Sequence, residues 1–149
     1  MIMDENLEFC DALAVAAAAG TALVGDVIDL DTIGRRMLSN NNLHLVIQVT
    51  TAFASAGAST TQFVLASDAA AAIAADGTET RHWLSHDYLK AELAAGAIIV
   101  IPLPAGIPSY ERYLGIEVIT GVATNTAGSI NAFLTMNAAD WVAMPDATN

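Results

Sequence analysis

Basic residues are nearly missing from this chain. Five Lys and Arg stand against sixteen Asp and Glu in 149 residues, a formal net charge of -11. Nucleic-acid binding needs cations that displace counterions from phosphate, and an anionic membrane surface makes the same demand, so neither partner is expected. Cysteine is limited to Cys10, which excludes an internal disulfide framework and says nothing firm about compartment. No apolar run approaches the length of a membrane-spanning helix. The opening residues, MIMDENLEF, carry acids where a secretory leader would be positive, so no signal peptide is expected. No linker or composition break divides the sequence, and 1–149 reads as a single domain.

Hydrophobic residues supply 54% of the chain, charged ones only 14%, and thirty residues are alanine. A monomer usually carries about a quarter to a third of charged residues on its surface. Apolar residues also fall on nominally outward strand positions: Val46, Val64, Ile119 and Phe133. Burial against other subunits explains both features, and a strand covered on both sides explains the second.

Period-two alternation dominates the pattern. Leu114, Ile116 and Val118 alternate through one strand, and Ile130, Ala132, Leu134 and Met136 through the next, with the turn residues of 125–128 between. Leu43, Leu45, Ile47 and Val49, then Thr61, Phe63 and Leu65, repeat the design, so each pair reads as an antiparallel hairpin. Further strands are expected at 23–30, 79–86 and 97–103, the last at an edge because of Pro102 and Pro104. Ser67 and Asp68 are placed to cap a short Ala-rich helix ending before Gly77, and 89–94 reads as one or two helical turns. The segment 7–15 is ambiguous, with alanines favouring helix. Counting it as extended gives about eight strands at sandwich-like spacing.

Candidate chemistry is sparse. His82 and His86 stand four apart, but on a strand that spacing puts them about 13 Å apart, too far to share one ion. Ser85-His86-Asp87 has the letters of a catalytic triad without its geometry. Asp26, Asp29 and Asp31 miss the spacing of a calcium loop. Glu111 and Glu117 share one strand, which is no arrangement for a glycosidase pair. Cys10 has no neighbouring base, and no nucleotide or hydrolase fingerprint occurs. Catalytic, cofactor-binding and metal residues are therefore assigned as none. Trp83 and Trp141 read equally as core or interface anchors.

The succession Val27-Ile-Asp-Leu30, Leu45-Val-Ile-Gln-Val-Thr50, Ser55-Ala-Gly57 into Gln62-Phe-Val-Leu65, Leu93-Ala-Ala-Gly96 into Ile98-Ile-Val-Ile-Pro-Leu-Pro104, Arg112-Tyr-Leu-Gly115 and Thr126-Ala-Gly128 resembles the small capsid cement (decoration) proteins of tailed bacteriophages. The likeness runs through nearly the whole chain. It implies an all-β jelly-roll sandwich on the outer surface of a phage head, made in the bacterial host cytoplasm. There it would bridge major capsid proteins as a homo-oligomer, a dimer in preference to a trimer, without catalysis. It also implies that the Ala-rich N-terminal segment is extended. Candidate interface residues are Leu7, Phe9 and Leu13 in an arm or first strand over 1–19, with Trp83, Phe133 and, in the 140–149 tail, Trp141. The rival reading is a carbohydrate- or receptor-binding jelly-roll module of a phage particle, which needs an exposed aromatic platform. A jelly-roll enzyme would need a His cluster on neighbouring strands, and His44, His82 and His86 are the chain's only histidines.

Overall fold

The computed structural model describes residues 5–33, 43–105 and 108–138. Among them a 3-10 turn at Glu5–Leu7 leads into β1 (Glu8–Ala14) and β2 (Gly20–Asp29), followed by the single-turn helix α1 (Leu30–Ile33). Then come β3 (His44–Ala54), β4 (Thr60–Asp68), β5 (Thr80–Leu84), β6 (Tyr88–Leu89), β7 (Ile98–Pro102), β8 (Tyr113–Gly121) and β9 (Ala127–Thr135). One sheet has the order β1-β9-β3-β7; the other has β2-β8-β4-β5, with β6 also on β4. All pairings are antiparallel. This order, in two sheets packed face to face, is that of a jelly-roll β-sandwich.

The two expected hairpins do not form. β3 and β4 lie in opposite sheets, and so do β8 and β9. The connections at 55–59 and 122–126 carry the chain across the sandwich, and the two units pair with each other, β3 on β9 and β4 on β8. The inward faces are nevertheless those the alternation predicts. Leu45, Ile47 and Val49 meet Phe63, Leu65, Leu114, Ile116, Val118, Ile130, Ala132 and Leu134 in one core. Met136 ends the pattern exposed. β7 lies at a sheet edge, where Pro102 removes no needed ladder bond.

The segment 8–14 is extended, against its helix propensity. Register shifts on β9 allow adjacent residues Phe9 and Cys10 both to turn inward. Gly25 lets β2 pass close by: its φ is +73°, and a Cβ there would lie within contact of the Phe9 carbonyl.

Residues 69–79 form bends and turns in place of the expected helix. Asp68 Oδ1 accepts from the Ala70 N–H at 2.9 Å, and Asp76 Oδ1 from the Thr78 N–H at 3.0 Å. Such bonds offer the backbone an alternative to the helical ladder. The 89–94 stretch is one hydrogen-bonded turn, with Glu92 N–H donating to the Leu89 carbonyl. Val46, Val64 and Phe133, on outward positions, are buried, and Ile119 is partly buried. On the second sheet the chain supplies the covering itself. Val64, Ala66 and Ile73 pack together with Leu23, Val27 and Ile119. Spare outward apolar residues are thus no argument here for a partner subunit.

Candidate functional site

The most unusual chemistry lies under that covering. Glu117 faces outward from β8, as its parity requires, yet it is fully buried. Its neighbours across the ladders are Leu23 on β2 and Val64 on β4. Among the described residues neither carboxylate oxygen has a hydrogen-bond partner. Arg81 Nη2 stands 3.6 Å from Oε2, but the guanidinium is engaged with Glu79, whose Oε1 lies 2.5 Å from Nε. Glu79 is itself buried and also accepts from the Gly77 N–H at 2.8 Å. Burial pushes the Glu117 carboxyl up to about 7, with the charge of Glu79 adding to the effect and Arg81 opposing it. Burial also raises Glu79, but its hydrogen bonds to backbone and Arg81 outweigh this and hold it below the usual range.

Gly115, two residues earlier, is where the 69–79 segment seats. A Cβ there would stand 2.7 Å from Ile73 Cδ1 and 2.8 Å from Leu23 Cδ1. A methyl there would oblige one or both of these side-chain ends to shift.

A second network pins the loop before β8. The pairing of β4 with β5 shifts register between Leu65/Trp83 and Ala66/Arg81, leaving His82 in a bulge. His82 Nε2 meets Ser67 Oγ at 2.7 Å, and the Glu111 N–H donates to that hydroxyl at 3.0 Å. The ring stacks on Tyr110, 3.9 Å between centroids, and Tyr110 donates to the Pro104 carbonyl. Burial holds His82 below its ordinary pKa, outweighing the charge of Glu111 and a bond to the Pro108 carbonyl. Neutral, its Nε2 accepts from the Ser67 hydroxyl. This is a serine–histidine pair, but Ser67 is fully buried, so the pair fastens a loop and does not meet a substrate.

The residues singled out in the sequence are dispersed. His86 lies against Tyr88, away from the His82 network, and the Ser85 hydroxyl is taken by the Phe63 N–H and the His86 carbonyl. Asp29 and Asp31 hold Arg112, with Asp29 Oδ2 at 2.8 Å. Glu111 accepts from the Thr80 hydroxyl. Cys10 is buried, its thiol pushed up to about 11 by burial, which leaves it protonated and unreactive. Among the described residues no group of three His, Cys, Asp or Glu is placed to hold a metal ion.

Of the interface candidates, Phe9 is wholly inside the core and Phe133 is buried, so neither offers a free surface. Leu7, Leu13 and Trp83 are partly buried against the core. Trp141 lies outside the described residues. Among the described residues the exposed large apolar side chains are Leu84, Leu89, Val100, Val122 and Met136. Val122 is 80% exposed and sits at φ +65° in a tight turn closed by the Ala123 N–H on the Gly121 carbonyl. A β-branched residue in that conformation is strained. A half-open hollow of about 360 Å³ beside the β1–β2 connection is lined largely by alanines from 14–22 with Val24 and Val118. It lacks the convergent polar side chains that orient a small ligand.

Sequence reasoning missed the Glu117–Glu79–Arg81 cluster and the Ser67–His82 pair. Both depend on the registers of β5 and β8 on β4, for which a single sequence carries no local signal. No curated protein matches the chain. The Bbp16 family matches residues 9–134, from the first core phenylalanine to the end of the last inward run. That span takes in every strand but the ends of the first and the last, and the chain belongs to the Bbp16 family.

Proposed function

We propose that this protein is a capsid cement protein, binding the outside of a phage head and bridging major capsid proteins. What carries the reading is the ordered resemblance along the chain, whose quoted segments are sandwich strands or their connections. Val27–Leu30 runs from the end of β2 into α1, Leu45–Thr50 lies in β3, Gln62–Leu65 in β4, and Ile98–Pro104 spans β7. The physics suits the role. A two-layer sandwich offers broad faces, and cementing a shell needs many modest complementary contacts in place of a pocket. Repeated copies on a closed shell make each contact multivalent. The exposed side chains Leu84, Leu89, Val100 and Val122 are candidates for those contacts. Among the described residues none of the exposed large apolar side chains is aromatic, which favours this reading over a sugar-stacking module. A homo-oligomer, a dimer before a trimer, remains part of the proposal.

The test is to add purified protein to matching heads that lack it. Saturable binding at a fixed copy number per head, with a raised temperature of head disruption, is expected. Heads that bind none, alongside protein that binds host-surface glycans, would replace this reading with the receptor module.

A further inference from the structure

The 69–79 segment covers an apolar strip on the second sheet, and beneath it lies a buried carboxylate with no hydrogen-bond partner among the described residues. Charged groups are packed around that carboxylate from two elements. Glu79 and Arg81 come from the entry to β5 and the strand itself, and Asp76 acts from within the segment. Its ladder partners on β2 and β4 are the apolar Leu23 and Val64. Among the described residues the cation beside it, Arg81, is engaged with Glu79, so an ionised Glu117 makes two buried carboxylates share that guanidinium. A buried charge without hydrogen bonds is costly unless it is neutralised. Protonation removes that cost; exposure to water removes it too.

We propose that the 69–79 segment is a proton-operated cover: it closes over the strip of Val64, Ala66 and Ile119 when Glu117 is protonated, and ionisation of Glu117 favours its release. Release hydrates the carboxylate and uncovers that strip. Ile73, seated on Gly115, is the apolar anchor that opposes opening. The device rests on the sandwich alone, and holds whatever the protein binds.

The sign of the pH response follows from linkage. The closed state holds its proton to about pH 7, whereas an open, hydrated carboxyl titrates near 4.5. Closure is therefore strongest below pH 4.5 and weakens as pH rises through 7. Opening grows by about tenfold per pH unit across that window, up to about 300-fold in all, and is level above it.

The experiment is amide hydrogen exchange on the full chain from pH 4.5 to 8.5, read as protection factors so that intrinsic exchange rates cancel. Protection across 69–79 should fall through the window while β3 and β9 hold theirs. Glu117→Gln should abolish the trend, and Asp87→Asn, which removes one exposed charge, should not. A flat wild-type profile, or the same trend in Glu117→Gln, overturns the proposal. Carbon-13 titration of the wild-type Glu117 carboxyl gives a check independent of any variant. A midpoint near 7 supports the device, and one near 4.5 sinks it.

Discussion

Replacing Gly115 with alanine probes the seat of the 69–79 segment on the second sheet. The new methyl would stand 2.7 Å from Ile73 Cδ1 and 2.8 Å from Leu23 Cδ1. Leu23 is only partly buried and can swing aside, but Ile73 is held between the segment and Val64 and Ala66. Overpacking of this kind costs about 1–3 kcal/mol. Stiffening the unfolded chain returns about 0.4–1 kcal/mol, so Gly115→Ala should cost about 1 kcal/mol net. Ile73→Ala alone should cost about 2 kcal/mol, the low end for such truncations, because its cover is one segment thick. In the double variant the alanine methyl enters space that Ile73 has left. The pair should therefore destabilise by about 1 kcal/mol less than the sum of the singles, a coupling usual for residues in contact. Urea denaturation at about pH 5.5 measures all four proteins with the Glu117 carboxyl mainly protonated. Additivity within about 0.3 kcal/mol would mean that the two residues do not touch and that the segment rests elsewhere.

Urea denaturation across pH should show Glu117→Gln gaining on wild type as pH rises from 4.5, by about 3 kcal/mol above pH 7, where wild type has paid for its buried charge. Titration of Glu79, Asp76 and His82 acts on both proteins, so the difference curve isolates Glu117; a difference that shrinks with rising pH refutes the assignment. Ile116→Ala or Leu134→Ala should cost about 2–5 kcal/mol, as truncations in a packed core do, and a cost under 1 kcal/mol for either would put the inward face in error. Phe9→Ala should destabilise the isolated protein by about 3–5 kcal/mol, read as a lowered melting temperature, because β1 belongs to its own sandwich; unchanged melting with lost head occupancy would make the segment an arm after all. Val122→Gly should stabilise by about 1 kcal/mol through relief of the positive φ, and a loss of stability would show that the turn is not strained.

Alternation by itself determined most of the strands and the side of each that turns inward. Leu45, Ile47 and Val49, or Leu114, Ile116 and Val118, enter the core because side chains on a strand alternate faces, whatever the strand is paired with. For that reason alternation could not distinguish a hairpin from a chain crossing between sheets. Both put the same residues inside, and the choice made at 55–59 and 122–126 rests on pairing with strands distant in sequence. Propensity favoured helix for the alanines after Cys10 and after Asp68, and was overruled in both places. β1 gained a ladder on β9, and the 69–79 segment gained a seat for Ile73 on Gly115. Parity opposite Ile116 and Val118 puts Glu117 on the outer face of its strand. Only the tertiary structure buried it, by folding a segment some forty residues earlier in the chain across that face, and only the register of β5 brought Glu79 and Arg81 beside it. Local sequence sets which way a side chain points; what lies on the other side is decided by contacts between elements far apart in the chain.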